Sequence, residues 1–239
     1  MTSNETARRE KTGMLILVIG GVLIVIALIV TTVLQSSAPT APSTSPSVLQ
    51  GQFSDTGMPL LGAPNASILL IEFSNFSCPG CAQYHATIKQ IVEQHVNSGK
   101  AALVFAPMIF RDGDDPSYIA AQAALCASKQ GKFWQMHNAL FEVHLQRGGR
   151  SYTLPVVEQL ARDLALDADA LRACIIAEET RPSIINAVTL AEQVGLEYTP
   201  SLLYSRDGGK TWNWFTAPDG SRYNAQVPLE VVARLIAAR

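Results

Sequence analysis

Apolar and polar residues follow patterns along this chain that predict both strands and helices. Two runs that are almost entirely apolar, residues 68–73 and residues 101–110, predict buried strands. Between them, residues 82–96 carry apolar side chains at helical spacing, which predicts an amphipathic helix directly after the first strand. The chain is therefore expected to form a strand, a helix and a second strand in this order.

A long helical block separates these elements from the remaining strands. From residue 117 to about residue 196 the pattern is helical, with breaks at 147–150, 166–167 and 181–182 that predict about four helices. A strand at 202–204, a hairpin return strand at 211–215 and a final helix at 229–238 follow. This order predicts an α/β fold with a mixed sheet and helices on both faces, and a helical insertion at about 114–196 between core strands.

The N-terminal part of the chain has a different composition. Residues 14–34 are apolar and uncharged, long enough to cross a bilayer as a helix, and no charge follows until Asp55. Arg8, Arg9 and Lys11 precede this block, so the positive-inside rule predicts a single-pass signal-anchor with residues 1–13 in the cytoplasm and the remainder exported. A cleaved signal peptide is the alternative, although its apolar core is normally shorter and Pro39 disfavours cleavage after Ala38.

Residues 35–57 are rich in Ser, Thr, Pro and Ala, and they predict a flexible linker between the anchor and a folded domain at 58–239. The whole chain has 239 residues, 48% of them apolar, so this domain can bury a proper core. The net charge of −2 and the lack of any run of Lys or Arg give no reason to expect nucleic acid as a partner.

Cys78-Pro79-Gly80-Cys81 stands where the first strand meets the first helix. A cysteine at a helix N-terminus is favoured as a thiolate by the helix dipole and by unpaired backbone N–H groups. Thiol–disulfide exchange requires such an exposed attacking thiolate and a second, nearby cysteine that resolves the mixed disulfide. A zinc site and an inert disulfide are the alternatives, but zinc would need further ligands at suitable spacing, so no metal is expected. His85, one turn after Cys81, either contacts this site or packs at the helix surface.

These residues and their order resemble the DsbA-like branch of thiol–disulfide oxidoreductases, which have the thioredoxin fold. The resemblance covers about 58–239. It rests on four stretches, residues 59–67, 71–81, 124–141 and 195–201. It implies that Cys78 is the nucleophile, that Cys81 is the resolving thiol and that Glu72 is a buried acid that relays the Cys81 proton. It also implies a cis peptide at Thr199-Pro200 that faces the disulfide and binds the extended substrate chain. Gly80 departs from the best-known member of the family, which has a thiolate-stabilising histidine there.

Together with the predicted anchor at 14–34, which lies outside it, the resemblance implies an exported, membrane-tethered enzyme that introduces disulfides into secreted proteins. This enzyme would require no cofactor, and its partners would be unfolded or cysteine-containing secreted proteins and a membrane redox partner, expected to be a quinone-linked oxidase. One alternative is a reductase or isomerase kept reduced by a membrane electron donor. The other is a redox-inert peptide-binding or chaperone module.

The two remaining cysteines, Cys126 and Cys174, each lie in an apolar helical stretch of the predicted insertion. Both are expected to face its interior, and in an exported protein two buried thiols brought together oxidise. We therefore predict a structural disulfide between them. The alternative is two separate core cysteines that act as small apolar side chains.

Overall fold

The computed structural model describes residues 52–54, 57–111 and 115–238. The predicted cytoplasmic tail, the predicted anchor at 14–34 and most of the predicted linker lie outside these ranges. Within the described part of the chain, no helix has both the length and the apolar character that a bilayer crossing requires.

Six strands form one mixed sheet in the described residues. Their order across the sheet is β1-β2-β4-β3-β5-β6, in which β3 and β4 run parallel at the centre and all other neighbours are antiparallel. The strands are β1 Gln52–Phe53, β2 Pro59–Leu61, β3 Leu69–Ser74, β4 Ala102–Pro107, β5 Ser201–Ser205 and β6 Asn213–Trp214.

Seven α-helices accompany the sheet in the same ranges. The first connects the two parallel strands and continues into a π-helical turn, Val92–Val96. The next five form the insertion between β4 and β5, and the last ends the chain. They are α1 Pro79–Ile91, α2 Pro116–Ser128, α3 Phe133–Arg147, α4 Leu154–Asp163, α5 Ala168–Ile176, α6 Arg181–Gln193 and α7 Leu229–Ala237.

The two central strands are buried along their whole length, as their continuous apolar runs predict. Successive side chains of a strand point to opposite faces of the sheet, so β3 contributes to two separate cores. Leu70 belongs to the larger core, which includes residues of α1, α7 and the insertion helices. Ile71 belongs to the smaller core, where Ala187 and Ala191 of α6 pack on the other face. Helices therefore cover both faces, and this architecture is the thioredoxin-like α/β fold with a helical insertion.

The insertion contains five helices, whereas the sequence pattern predicts about four. The additional break separates α2 from α3 at Gly131, whose φ of 72° suits glycine and lets the chain turn. The last helix of the insertion, α6, differs from the other four because its residues Ala187 and Ala191 pack on the opposite face of the sheet. Helical periodicity predicts that a helix has a buried side, but it does not show which face of the sheet that side covers.

The folded part of the chain begins earlier than the sequence predicts. The composition predicts a linker at 35–57, but Gln52 and Phe53 pair with Leu60 and Pro59 as the edge strand β1. This strand is held by backbone hydrogen bonds, which do not depend on an apolar side-chain pattern. The composition of residues 35–57 therefore does not predict strand β1.

A disulfide braces the insertion. Cys126 of α2 and Cys174 of α5 are joined, with their Cα atoms 6.0 Å apart and a separation of 48 positions in the sequence. Both residues are buried within the larger core. The bridge therefore fixes the first helix of the insertion to its fourth.

Buried aromatic and histidine side chains join the insertion to α1. The ring of His85 on α1 stacks on Phe141 of α3 with centroids 4.8 Å apart, and it lies 5.2 Å from the ring of His137. Burial lowers the pKa of His85 to about 4 and the pKa of His137 to about 3. Both rings are thus neutral at neutral pH and pack as aromatic core, so His85 does not lie at the helix surface.

Replacing both bridged cysteines with alanine, Cys126→Ala with Cys174→Ala, is expected to lower the free energy of unfolding by about 4 kcal/mol. The reason is that the bridge closes a long loop and restricts the unfolded chain. Thermal unfolding of the double variant and of the wild type measures the effect. Equal melting temperatures would contradict this account, and the reactivity of Cys78 serves as a control that should not change.

The buried histidines predict a loss of stability in acid. Their pKa values are lower in the folded than in the unfolded state, so the unfolded chain binds more protons below about pH 6.5 and is favoured as pH falls toward 4. His85→Leu removes one such site and should flatten this loss by up to about 1.4 kcal/mol per pH unit. Urea unfolding of both proteins between pH 7 and pH 4 measures the slopes. Parallel curves would show that His85 does not bind a proton on unfolding.

Candidate active site

The two cysteines lie at the junction between β3 and α1. The strand ends at Ser74, and Cys78 occupies the N-cap position of the helix, with Pro79 in its first turn. Proline suits this place because the N–H that it lacks would have no partner within the helix. Cys78 is half-buried, whereas Cys81, one turn into the helix, is fully buried. One sulfur is thus open to a substrate and the other is not.

The surroundings of Cys78 favour its thiolate. Hydrogen bonding from the Cys81 thiol is the largest cause, and it lowers the pKa of Cys78 to about 5 against the opposing effect of partial burial. The backbone N–H groups of Cys81 and Gly80 and a contact with Thr199 lower it further. The helix N-terminus therefore acts here as the sequence predicts, but the thiol of Cys81 contributes more.

The Cys81 thiol is held in its protonated form. Burial raises its pKa well above the ordinary value, and the negative charge on Cys78 acts in the same direction. The backbone N–H of Asn75 lies 3.4 Å from the Cys81 sulfur and donates to it. The proton of Cys81 is thus kept where it stabilises the charge on Cys78.

Glu72 is fully buried on β3, on the face of the sheet that carries Leu70 and faces α1. Burial raises the pKa of its carboxyl group to about 7, so the group can give or take a proton near neutral pH. The hydroxyl of Ser74 is close enough to Glu72 and to Cys81 to lower the pKa of each. The acid predicted from the resemblance and the resolving cysteine thus both lie near the Ser74 hydroxyl.

The Thr199-Pro200 peptide bond is cis and lies beside the active cysteine. The Cys78 sulfur is 3.5 Å from the carbonyl oxygen of Thr199. A Cβ atom on Gly80 would stand 3.4 Å from Cδ of Pro200 and 3.8 Å from the Cys78 sulfur. A side chain at position 80 would thus lie between the cysteine and the proline, and Gly80 leaves this space open.

Several residues that hold the site were not identified from the sequence. Asn75 and Ser77 fix the loop before Cys78, and His144 and Gly149 contact that loop from the insertion. In the sequence, the pair of glycines at 148–149 predicts only a break between helices. No spacing or motif connects it with Cys78, which is about seventy positions away in the sequence.

This arrangement is suited to thiol–disulfide exchange. It combines an accessible thiolate, a buried thiol one helical turn away and an acid whose pKa lies near neutrality. In the described ranges, no three His, Cys, Asp or Glu side chains come together as metal ligands would. The two sulfurs and the buried acid are the groups that this exchange reaction uses.

Comparison with known proteins agrees with this chemistry. A family model described as Thioredoxin matches residues 54–207, which is more than half of the chain. Disulfide bond formation protein D of Bacillus subtilis is 21% identical over 156 residues, covering 64% of this chain and 70% of that protein. Probable disulfide bond formation protein D of Bacillus anthracis is 28% identical over 83 residues, or 34% of this chain and 38% of that protein.

Solved structures show the same fold. The oxidised form of BdbD from Bacillus subtilis superimposes with a TM-score of 0.62 at 20% identity, covering 80% of this chain and 96% of that one. A thioredoxin-like oxidoreductase from Silicibacter pomeroyi gives a TM-score of 0.57 at 26% identity, covering 76% and 94%. With the family match and the paired thiols of Cys78 and Cys81, these findings establish that the chain belongs to the thioredoxin family and is a protein thiol–disulfide oxidoreductase.

Proposed function

We propose that this protein is an exported, membrane-tethered oxidase that introduces disulfides into secreted proteins through Cys78 and Cys81. The observation that carries the proposal is the contrast between the two sulfurs. The pKa of Cys78 is lowered to about 5, whereas Cys81 is buried and keeps its proton.

The reaction follows from this contrast. A substrate thiolate attacks the Cys78 sulfur of the oxidised pair, the Cys78–Cys81 bond breaks, and Cys81 leaves as a thiolate. Cys81 is then protonated, and Glu72 with its pKa of about 7 is the nearby acid that can supply the proton. A second substrate thiolate attacks the substrate sulfur of the mixed disulfide and releases Cys78 as a thiolate. The substrate gains a disulfide and loses two protons, and the two electrons remain on the enzyme.

The stabilised Cys78 thiolate supports the oxidising direction. A group that is stabilised only in the reduced enzyme makes the disulfide form easier to reduce, and therefore a stronger oxidant. Gly80 provides no side chain to strengthen this effect, unlike the histidine of the best-known relative. The hydrogen bond from Cys81 and the backbone N–H groups of α1 supply the stabilisation instead.

The substrate is proposed to bind as an extended chain along the Thr199-Pro200 loop. This loop adjoins the Cys78 sulfur, and Tyr198 beside it is 60% exposed, so a peptide can reach the loop. Backbone pairing with an extended chain depends little on its side chains. It therefore suits an enzyme whose substrates are unfolded or cysteine-containing secreted proteins.

Export and tethering are proposed from the N-terminal sequence, in which an uncharged apolar block at 14–34 follows basic residues. The Cys126–Cys174 disulfide supports an oxidising compartment, because such bridges are rare in the cytosol. An oxidase in that location must pass its electrons on after each turnover. We propose a quinone-linked oxidase of the same membrane as the partner that restores the Cys78–Cys81 disulfide.

Trapping of substrates tests the reaction and the location together. In the full chain, Cys81→Ala leaves a Cys78 thiolate that can attack disulfides of exported proteins. The resulting mixed disulfides should accumulate, because no second enzyme thiol remains next to Cys78 to release it. These adducts should fractionate with membranes and disappear on reduction. Cys78→Ala is the matched control and should form none. Adducts confined to cytoplasmic proteins or to the soluble fraction would contradict the proposed location.

The reduction potential tests the direction. Equilibration of the detergent-solubilised full chain with glutathione buffers should give a potential more oxidising than about −180 mV, the value typical of disulfide isomerases. Quantifying the reduced Cys78 thiol by alkylation measures it. A potential near about −270 mV, that of a thioredoxin, would instead identify a reductase.

A further inference from the structure

The loop between α3 and α4 is in direct contact with Ser77, the residue before the nucleophile Cys78. The Ser77 hydroxyl donates a hydrogen bond of 2.7 Å to the carbonyl oxygen of Gly149. A Cβ atom on Gly149 would stand only 2.6 Å from both Cα and O of Ser77, and 2.7 Å from Cε1 of His144. No side chain fits at position 149 unless the backbone before Cys78 moves.

The two neighbouring glycines of this loop are needed for different reasons. Gly148 has a φ of 82°, which suits glycine, but open space surrounds the place where its Cβ would be. Gly149 has no such positive φ, and its constraint is the contact with Ser77. The first glycine shapes the turn, whereas the second allows the turn to approach the active-site loop.

Two further side chains of the insertion hold the same loop. His144 Nδ1 lies 2.7 Å from the carbonyl oxygen of Phe76, to which it donates. The hydroxyl of Tyr152 lies 3.1 Å from this oxygen and 2.8 Å from that of Leu140. Since His144 and Tyr152 are both buried, these hydrogen bonds are shielded from water and fix the position of the Phe76 peptide.

The held loop is connected to both reactive sulfurs. The side-chain oxygen of Asn75 accepts the Ser77 N–H at 2.7 Å, and the Asn75 carbonyl accepts the Cys78 N–H at 3.0 Å. The N–H of Asn75 donates to the Cys81 sulfur at 3.4 Å. A displacement of Ser77 therefore changes the position of Cys78 relative to the start of α1 and disturbs the hydrogen bond to Cys81.

We propose that Gly149 is a positioning residue for catalysis, through which the helical insertion holds Ser77 and thereby sets the reactivity of the Cys78 thiolate. This inference rests on the proposed function for its biological meaning, but it concerns a property of Cys78 that is measured without any substrate. Because the contact comes from the insertion, it links that part of the fold to the chemistry of the two sulfurs.

Gly149→Ala tests the proposal in the detergent-solubilised full chain with Cys78 and Cys81 reduced. The added methyl group should displace Ser77 and weaken the hydrogen bonds to the thiolate. The pKa of Cys78, about 5 in the wild type, should rise by about one unit, which makes alkylation at pH 4.5 about eightfold slower. The rate of iodoacetamide labelling of Cys78 against pH measures the shift, and thermal unfolding is recorded for the same samples.

Gly148→Ala is the matched control, because it alters the same loop without touching Ser77. It should lower the melting temperature and leave the pKa of Cys78 unchanged. His144→Leu removes the donor to Phe76 and should raise this pKa, whereas His144→Asn keeps an N–H at the same place and should restore most of the wild-type value. Ser77→Ala removes the hydrogen bond to Gly149 without adding bulk, and it should also raise the pKa of Cys78. It therefore provides a second test if Gly149→Ala does not fold.

Two results would overturn the proposal. One is a set of Gly149, Ser77 and His144 variants whose melting temperature falls while the pKa of Cys78 stays at the wild-type value. The other is a Gly148→Ala protein that shifts this pKa as much as Gly149→Ala does. A wild-type protein with a low Cys78 pKa that fails to oxidise substrates would instead contradict the proposed function alone.

Discussion

The hydrogen bond from the buried Cys81 thiol to the Cys78 sulfur is the interaction on which the chemistry of this protein depends. It exists because the two cysteines share one turn of helix but differ in their exposure to solvent. Burial keeps the proton on Cys81, and this proton then stabilises the charge on Cys78. If both sulfurs were equally exposed, the backbone N–H groups at the start of α1 would still favour Cys78, but the larger contribution from the Cys81 thiol would be lost.

The burial of Cys81 is in turn a result of how the layers pack. Helix α1 lies between the sheet and the insertion, where His85 meets the rings of His137 and Phe141. Glu72 is enclosed by the same packing, which raises the pKa of its carboxyl to about 7. One constraint, the exclusion of water beneath α1, thus prepares both the resolving thiol and the acid close to it.

The insertion is more than a cover over the sheet. Its α3 helix and the following loop reach the backbone at Phe76 and Ser77, while the Cys126–Cys174 bridge stiffens it elsewhere. The position of the nucleophile is therefore fixed from two directions, by β3 and α1 along the chain and by the insertion across it. Support from the insertion requires its loop to come close to the backbone of Ser77, and Gly149 permits this approach because it has no side chain.

The sequence by itself determined the order of the strands and helices, the place of Cys78-Pro79-Gly80-Cys81 at the start of α1 and the apolar surroundings of Cys126 and Cys174. These features depend on local periodicity and spacing, which a linear pattern contains. Only the tertiary structure decided that α6 covers the opposite face, that β1 extends the sheet, that His85 is buried and that Gly149 meets Ser77. Each of these depends on which distant residues come into contact, and no local pattern encodes that information.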